Sequence, residues 1–383
     1  MGSSEHAASD SRAGWRVAVA NSISEIPPDV WRKLAPSDDP IYGYALFQAM
    51  ERTRLGPDSY RYLVVRQGER VRAVLPTCVF RSLALEDVLG NQGRQALRPL
   101  RRIMRRPLRI KMLICGHLLG EGRVLRNGDG LHETARHLLV DAVRELSASV
   151  GTRWTVFKDF SQTDLEWLDP ALGKAGYFRA PGLPDAWLGL RAESFDEFIS
   201  SLSRNGRSVA RRNLAKFSGH QDAAIEVRER FDDLVPAMMP LYQAVLDRAE
   251  TRLDVWTPEF MALLSTDPRI PAKAVTCWYQ DRLVGFLICL FREKSGVAIR
   301  IGLDYDCSRD LRLYQVTYYR GIEEAIRMGV ARLNLTQTAY EAKRKMGCDL
   351  VPLDHAVTHR NPVCRAILRY ALPMAVNRSG DQV

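Results

Sequence analysis

The stretch AKAVTCWYQDRLVGFLICLFREKSGVAIRIGLDYD (272–306) decides the fold class of this chain. It holds three runs rich in aliphatic and aromatic residues, separated by the short polar turns Gln-Asp-Arg and Glu-Lys-Ser-Gly. Runs of this composition between tight turns predict consecutive β-strands joined as hairpins. We expect strands over 272–279, 283–291 and 297–306.

The segment that follows predicts a helix and one more strand. LYQVTYYRGIEEAIRMG (313–329) carries an apolar stripe at Val316, Tyr319, Ile322 and Ile326. This spacing is typical of an amphipathic helix. The strand ARLNL (331–335) comes next, and a strand, a crossover helix and a second strand indicate a parallel pair in a mixed α/β sheet.

The first half of the chain has the same order of elements, namely a hairpin, a strand, a helix and a strand. The predicted ranges are 60–65, 71–80, 111–120, 131–151 and 153–160. Such a repeat indicates an internal duplication. We expect a first domain over 15–190, ending after the strand 186–190, and a second over 191–383 with a basic helical hairpin and a C-terminal helix. Residues 1–14 are polar, lack the apolar core of a signal peptide and are expected to be a disordered leader.

Composition limits the partners. The chain has 383 residues, a formal net charge of +10 and 46% hydrophobic residues, and it has a pI of about 9.4. This balance favours polyanionic partners for a globular protein. The seven Cys are scattered and form no C-x-x-C pair, which indicates reduced thiols and no metal site. No apolar run approaches the roughly 20 residues of a membrane span, so we expect a cytoplasmic protein with no integral membrane segment.

Two stretches concentrate arginine. In SLSRNGRSVARRNLAKF (201–217), Arg204, Arg207 and Arg211 fall within about a 60° arc of a helix, and Arg212 follows. Guanidinium groups grouped in this way suit phosphate binding, although a solvated charged face explains the pattern as well.

The second stretch, RQALRPLRRIMRRPLRIK (94–111), has eight Arg or Lys and no acidic residue. A tRNA backbone explains such a charge run. A membrane surface that takes up Ile103, Met104 and Leu108, or a mobile solvated loop, explains it too. The candidate RNA-binding residues are Arg101, Arg102, Arg105, Arg106, Arg109 and Lys111.

The duplicated order, with the S-L-S-R-x-x-R-x-x-x-R-R-N pattern at 201–213, resembles the Fem-type aminoacyltransferases, which consist of two GNAT acyltransferase domains. The resemblance runs from about residue 40 to about residue 362. It implies transfer of an acyl group from a charged tRNA to an amine, with no further cofactor.

One segment departs from GNAT enzymes that use acetyl-CoA. Those enzymes resemble one another in a Gln/Arg-x-x-Gly-x-Gly/Ala loop after the central strand, whose backbone N–H groups close on a pyrophosphate. This chain has CSRDLRLYQV there, without glycine between Gly302 and Gly321. The first half offers GEGRVLRNGDG (120–130), which is not that motif.

Amide formation requires an amine that loses its proton, a stabilised oxyanion and a protonated leaving hydroxyl. We expect the reacting centre where the parallel strands splay, at the ends of 297–306 and 331–335. Lys343 is the candidate to offset negative charge, and Tyr340 the candidate proton donor. The remaining candidates there are Asp304 and Asp306, to orient the amine, and Thr336. A carboxylate at a strand end also caps helices or pairs with arginine, here Arg309 or Arg312.

Candidates for binding the donor or the acceptor lie in both halves. Arg309 and Arg312 are candidate substrate-binding residues of the second half. In the first half, Lys158 and His117 end strands at comparable positions, although a histidine in an apolar strand is more often a core residue. His355 and His359 share a strand face without a completing ligand set, so no metal site is expected.

The sequence thus predicts an N-acyltransferase that moves an aminoacyl or related group from tRNA to an amine, in a cell-wall precursor or a secondary metabolite. One alternative is an acyl-CoA-dependent or acyl-carrier-protein-dependent enzyme of the same fold. A second alternative is a non-catalytic protein that binds nucleic acid or a membrane surface. The acyl group, the acceptor and the oligomeric state stay open.

Overall fold

A computed structural model describes residues 14–84, 109–128, 131–249 and 252–370. The chain divides into two compact units. The first comprises residues within Met1–Pro36, Gly56–Leu183 and Pro352–Gln382, and the second is formed by Ser37–Leu55 and Pro184–Val351. The leader expected over residues 1–14 lies outside the described residues, apart from Gly14.

The first unit contains a mixed sheet in the order β1-β2-β3-β4-β6-β15-β7, with β5 paired to β3. Its strands are β1 (Trp15–Ala20), β2 (Ser59–Gln67), β3 (Arg70–Ala84), β4 (Arg109–Cys115), β5 (Leu125–Arg126), β6 (Trp154–Ser161), β7 (Phe178–Pro181) and β15 (Leu353–His359). Strands β4 and β6 are parallel, from Met112 opposite Trp154 to Cys115 opposite Phe157. The predicted strand over 111–120 therefore ends earlier, because the chain turns at Gly116, where φ is +108°.

The helices of the first unit pack on this sheet through regularly spaced apolar residues. They are α1 (Pro28–Leu34), α3 (Glu133–Ser149) and α4 (Gln162–Lys174), and a further helix over 362–370 ends the described chain. In α3, Ala135, Leu139, Val143 and Leu146 are buried, and they join Leu113 of β4 and Phe157 of β6 in one core. A helical spacing of apolar residues thus places α3 across the parallel pair.

The second unit contains a mixed sheet in the order β14-β8-β13-β12-β11-β10-β9. Its strands are β8 (Asp185–Gly189), β9 (Ala223–Arg228), β10 (Ala272–Tyr279), β11 (Arg282–Arg292), β12 (Ser295–Leu303), β13 (Arg332–Asn334) and β14 (Asp349–Val351). The predicted hairpins of 272–306 are present as β10, β11 and β12, with β11 antiparallel to both of the others. The strand predicted over 297–306 ends earlier, at Leu303, because Asp304 caps a helix that begins at Tyr305. Strands β12 and β13 are parallel, as predicted.

Eight helices of the described chain belong to the second unit. They are α2 (Tyr44–Arg52), α5 (Phe195–Ser201), α6 (Arg204–Ser218), α7 (Val235–Leu246), α8 (Pro258–Thr266), α9 (Tyr305–Leu311), α10 (Leu313–Arg327) and α11 (Tyr340–Lys345). The stripe predicted for α10 is buried at Val316, Tyr319 and Ile322. No helix in the described part of the chain is long and apolar enough to cross a membrane.

Two strands lie in a sheet whose other strands come mostly from the opposite half of the sequence. Strand β8, expected to close the first domain, pairs with β13 and β14, and its Ala186 and Leu188 lie in the second core. Strand β15, near the C-terminus, lies between β6 and β7 in the first sheet. The predicted boundary near residue 190 therefore does not coincide with the division in the structure, because strand pairing depends on partners far away in sequence.

Candidate functional site

In the second unit the two parallel strands diverge after a short paired stretch. They pair from Ser295 opposite Arg332 to Val297 opposite Asn334. Strand β12 continues to Leu303 and stays paired with β11, with a register shift opposite Ile288 and Cys289. After β13 the chain remains bonded to β8, since the N–H of Leu335 donates to the carbonyl of Ala186 at 2.8 Å. The sheet therefore opens at the place where the sequence predicts the reacting centre.

The loop that follows β13 has an unusual backbone. Thr336, Thr338 and Ala339 have φ values of +63°, +69° and +51°, in a region that residues with a Cβ adopt rarely. The N–H of Thr336 donates to Asn334 Oδ1 at 2.7 Å, and Asn334 Nδ2 donates to Asp185 Oδ2 at 2.7 Å. Asp185 and Asn334 are both buried, so a buried polar network holds the loop in this conformation.

Lys343 fixes the same loop from α11. Its side chain is buried, with 1% of the residue exposed. Its Nζ donates to the carbonyl oxygens of Thr336 at 3.1 Å and Gln337 at 2.7 Å, and it lies 5.9 Å from the centroid of the Tyr318 ring. Burial lowers the pKa of Lys343 to about 8, because desolvation disfavours the charged form.

The other predicted catalytic residues have structural contacts. The hydroxyl of Tyr340 donates to the carbonyl of Pro184 at 2.9 Å. Asp304 caps α9, accepting from the N–H of Asp306 at 3.0 Å. It also pairs with Arg282 at 2.9 Å, rather than with Arg309 or Arg312. The expected helix cap is thus present, and the ionic partner is a different arginine.

The glycine-free segment after β12 forms the short helix α9, which was not predicted from the sequence. Asp304, directly before α9, is an N-cap residue, and an Asp at this position is the feature of the sequence that indicates the start of this helix. Arg312 then adopts a left-handed conformation with φ of 55° and begins α10, without a side-chain cap for its first turn. Arg309 is exposed and Arg312 is half-buried, so both predicted substrate-binding residues lie close in sequence to this helix start.

Helix α6 begins at a capped and tightly packed end. The Oγ of Ser203 accepts from the N–H of Gly206 at 3.1 Å. A Cβ on Gly206 would lie 2.5 Å from the carbonyl oxygen of Lys345 in α11, so only glycine permits this approach.

The predicted arginine cluster of α6 is used in two ways. The guanidinium of Arg207 is half-buried and donates to the carbonyl of Ser200 at 3.0 Å, which caps the end of α5. The side chains of Arg204, Arg211 and Arg212 are exposed. Three of the four arginines therefore remain accessible to a ligand.

The first unit contains a polar cluster at the end of β6, in which Asp159 is buried and Lys158 and His355 are half-buried. Lys158 Nζ pairs with Asp159 Oδ2, and Asp159 has a positive φ of 54°. The N–H of Asp159 donates to His355 Nδ1 at 3.0 Å. Burial lowers the pKa of His355, against the opposing charge of Asp159. Since Nδ1 accepts this hydrogen bond, the proton of the neutral imidazole lies on Nε2.

From the sequence, His355 is considered only as a metal ligand, and its contact with Asp159 is not predicted because the two residues lie 196 positions apart. His117 lies in the core of the first unit, where its Nδ1 accepts from the N–H of Leu119 at 2.9 Å. Phe160 of β6 also forms a parallel β-bridge with Gly122. The segment around Gly122 therefore lies beside β6, beyond the point where β4 ends.

The predicted RNA-binding run is only partly described. Arg101, Arg102, Arg105 and Arg106 lie outside the described residues. Arg109 and Lys111 are exposed residues of β4, and Arg109 donates to the carbonyl of Ser82 at 2.9 Å.

Comparison with known proteins gives the class of this chain. Residues 204–344 match the model of the acetyltransferase (GNAT) domain family, a range that begins with α6 and ends within α11. A search of curated proteins found no match.

Three solved structures share the fold of nearly the whole chain. FemX has a TM-score of 0.59 at 11% identity, over 92% of this chain and 99% of that one. The C-terminal domain of a putative lysylphosphatidylglycerol synthetase from Agrobacterium fabrum has a TM-score of 0.52 at 14% identity, over 90% and 95%. A conserved protein of unknown function from Bacteroides thetaiotaomicron has a TM-score of 0.54 at 9% identity, over 90% and 100%.

The chain therefore carries a GNAT domain in its second half. The predicted α/β fold with two GNAT-like mixed sheets is confirmed, and so is the predicted enzyme class, an acyltransferase.

Proposed function

We propose that this GNAT-type N-acyltransferase takes an aminoacyl or related acyl group from a charged tRNA and joins it to an amine acceptor. The observation that carries the proposal is the replacement of a glycine-rich loop between β12 and α10 by helix α9 and Arg312. A CoA pyrophosphate needs close approach to several backbone N–H groups, which glycines permit. A tRNA donor needs instead an exposed basic surface for its backbone.

Helix α6 provides such a surface within the GNAT domain. Arg204, Arg211 and Arg212 are exposed on it, and the chain carries a net charge of +10. FemX and the lysylphosphatidylglycerol synthetase domain share the fold. The name of the second of these proteins refers to a lysyl conjugate, and an aminoacyl donor for this chain agrees with that chemistry.

In the proposed reaction the deprotonated amine attacks the ester carbonyl of the charged tRNA. The C–N bond forms, the carbonyl electrons move to oxygen, and the C–O bond to the ribose then breaks. The amine proton is lost and the ribose oxygen gains a proton, so atoms and charge balance. We propose the opening between β12 and β13 as the place of this step.

Lys343 has a defined part in this proposal. Two of its N–H groups hold the carbonyls of Thr336 and Gln337. Its charge therefore lies directly behind the loop that borders the opening, where it offsets developing negative charge. Tyr340 and Asp306 remain the proposed proton donor and amine-orienting group, and Thr336 contributes its strained backbone. In the first unit, Lys158 remains a proposed acceptor-binding residue, whereas the predicted role of His117 in binding is not proposed further, because its side chain is fully buried.

We place the protein in the cytoplasm, where charged tRNA is available. The described cysteines are all free, and five of them are buried, which suits a reducing compartment.

The test supplies purified full-length protein with tRNA charged with labelled amino acids, together with a panel of amines. We expect labelled amide with tRNA as the donor, and none after RNase treatment of the donor. Lys343→Met is expected to lower kcat by about 100-fold or more, in the range typical of lost electrostatic stabilisation. Lys345→Met is the matched control, because Lys345 lies on the same helix and pairs only at the surface with Glu341. Product formed equally well after RNase treatment would overturn the proposal.

A second candidate donor is an acyl-CoA or acyl carrier protein. It is favoured by the uncapped start of α10 at Arg312, because a helix N-terminus attracts phosphate. Calorimetric titration with CoA tests it. Binding that is lost in Arg312→Gln and kept in Arg282→Gln would favour this donor over tRNA.

A further inference from the structure

One charged side chain of β12 stands at the border of the opening between β12 and β13. Val297 is the last residue of β12 that pairs with β13, and Arg300 follows it in the part of β12 that pairs with β11 alone. Arg300 is half-buried. Its Cζ lies 4.6 Å from the centroid of the Trp256 ring and 5.7 Å from that of Tyr242. Since Tyr242 belongs to α7, the Arg300 guanidinium lies on the face of the sheet against which α7 packs.

The segment between α7 and α8 supplies a carboxylate to this arginine. Asp254 Oδ2 pairs with the Nη2 of Arg300. The segment is itself anchored, since the hydroxyl of Tyr242 donates to the carbonyl of Asp254 at 3.4 Å. The N–H of Trp256 in turn donates to the hydroxyl of Tyr242 at 2.9 Å. The carboxylate, the guanidinium and the indole ring are therefore held together in one group.

Three polar atoms of this group are unused within the described part of the chain. Nε of Arg300 and Nε1 of Trp256 are buried and have no hydrogen-bond acceptor there, and Trp256 is only 2% exposed. Oδ1 of Asp254 receives no hydrogen bond from the described residues either. Buried donors without an acceptor lower stability, and folded proteins keep few of them. Two such donors beside one carboxylate oxygen therefore indicate a ligand site.

The unused atoms match the reactive end of an aminoacyl group. Such a group carries an α-ammonium, which donates to a carboxylate oxygen. The adjacent carbon bears a carbonyl oxygen, which accepts from N–H groups. A simple acyl group has the carbonyl oxygen alone. One free carboxylate oxygen next to two free N–H groups thus fits an aminoacyl group better than a plain acyl chain.

We propose that Asp254 binds the α-ammonium of the transferred aminoacyl group, and that Arg300 and Trp256 donate to its carbonyl oxygen. This inference rests on the proposed aminoacyl transfer, and it names the chemical class of the transferred group as an α-aminoacyl group with a free amine. The three residues determine specificity. Tyr242 is a positioning residue, because its hydroxyl bonds to the backbone of both Asp254 and Trp256.

Calorimetric titration of the full-length protein with amino-acid amides tests this site without tRNA or an acceptor amine. Each amide carries the α-ammonium and the carbonyl oxygen of an aminoacyl group. The probes are the amides of the standard amino acids and two analogues of the tightest binder, one N-acetylated and one lacking the carboxamide. We expect the tightest amide to bind at least about tenfold more tightly than either analogue, because each analogue loses one set of hydrogen bonds.

Variants assign each contact to its residue. Asp254→Asn is expected to weaken binding of the amide by about tenfold or more and to leave binding of the N-acetylated analogue unchanged. Trp256→Phe keeps a ring but removes the N–H, and it is expected to weaken binding of the amide by about threefold or more. Binding of the analogue that lacks the carboxamide should not change in this variant. Asp247→Asn, at an exposed carboxylate directly after α7, is the matched control and should bind all probes as the natural protein does.

Three outcomes would overturn the proposal. These are no binding of any amide up to about 10 mM, equal binding of the amide and its N-acetylated analogue by the natural protein, and an equal loss of both in Asp254→Asn. The last outcome would assign Asp254 a purely structural role. Thermal unfolding curves of the variants show whether the fold is retained, and the comparison of probes on the natural protein does not depend on any variant.

The outcome is separate from that of the proposed function. Amide binding together with product formed equally well after RNase treatment would retain this site and overturn the tRNA donor. Transfer from tRNA without amide binding would retain the tRNA donor and overturn this site.

Discussion

The side-chain nitrogen of Lys343 lies 2.7 Å from the carbonyl oxygen of Gln337. This hydrogen bond joins helix α11 to the loop that follows the last central strand, in the interior of the second unit. A buried lysine whose pKa is lowered to about 8 gives the site a pH-sensitive charge, and the following prediction depends on it.

Lys343 is expected to make stability depend on alkaline pH. An unfolded lysine titrates near 10.5 and the folded one at about 8, so the unfolded chain binds more protons between these values. Stability due to this group therefore rises with pH in that window. Below about pH 8 both states are protonated, and the full free-energy cost of burying the charged lysine lowers stability. Relative to Lys343→Met, the natural protein should gain roughly 2–3 kcal/mol of unfolding free energy from pH 8 to 10.5. Urea unfolding of both proteins measures this, and parallel curves would contradict a titrating buried lysine.

Gly206 is expected to tolerate no side chain. A Cβ there would stand 2.5 Å from the carbonyl oxygen of Lys345, and main-chain atoms cannot rotate away. We expect Gly206→Ala to lose about 1–3 kcal/mol of unfolding free energy. Gly219→Ala at the other end of α6 is the control, because its Cβ meets only ordinary contacts at 3.5 Å. Equal stability of the two variants in urea would rule out close packing of α6 on α11.

Asp304 is expected to act mainly as a helix cap. Asp304→Ala should lose about 1 kcal/mol of stability, because the N–H of Asp306 loses its acceptor. Asp304→Ser restores an acceptor and should recover much of that loss, with kcat close to that of the natural protein. A fall in kcat of about 100-fold in the serine variant, without loss of stability, would instead indicate a carboxylate that takes part in the reaction.

The exposed arginines of α6 are expected to set the salt dependence of tRNA binding. Replacing Arg211 and Arg212 by Gln should reduce the slope of log affinity against log salt by about one for each phosphate that these side chains no longer bind. Arg32→Gln, on the first unit, serves as the control. Filter binding across a salt series measures the slope, and an unchanged slope would exclude α6 from the RNA-binding surface.

Local patterns in the sequence were sufficient to predict the elements around the site. The hairpins of β10, β11 and β12 follow from apolar runs separated by short polar turns. Helix α10 follows from the helical spacing of its apolar residues, and the structure contains all four elements in the predicted order. The parallel pairing of β12 with β13 also follows, since a strand, a helix and a strand have few other arrangements.

Contacts between distant segments could not be predicted in this way. Strand β8 pairs with β13, which lies more than a hundred residues further along the chain. No local pattern in the sequence identifies that pairing. The approach of Gly206 to Lys345 and the bond from Asp159 to His355 have the same origin. Each depends on packing that exists only once the whole unit has folded.

The identity of the acyl donor is the central claim, and one competition assay tests it most directly. Equal amounts of tRNA and CoA carry the same acyl group with different isotopic labels, and both are offered together with one amine acceptor. We predict product that carries the tRNA label, and loss of that product when RNase is added. Product that carries the CoA label, unaffected by RNase, would contradict the account.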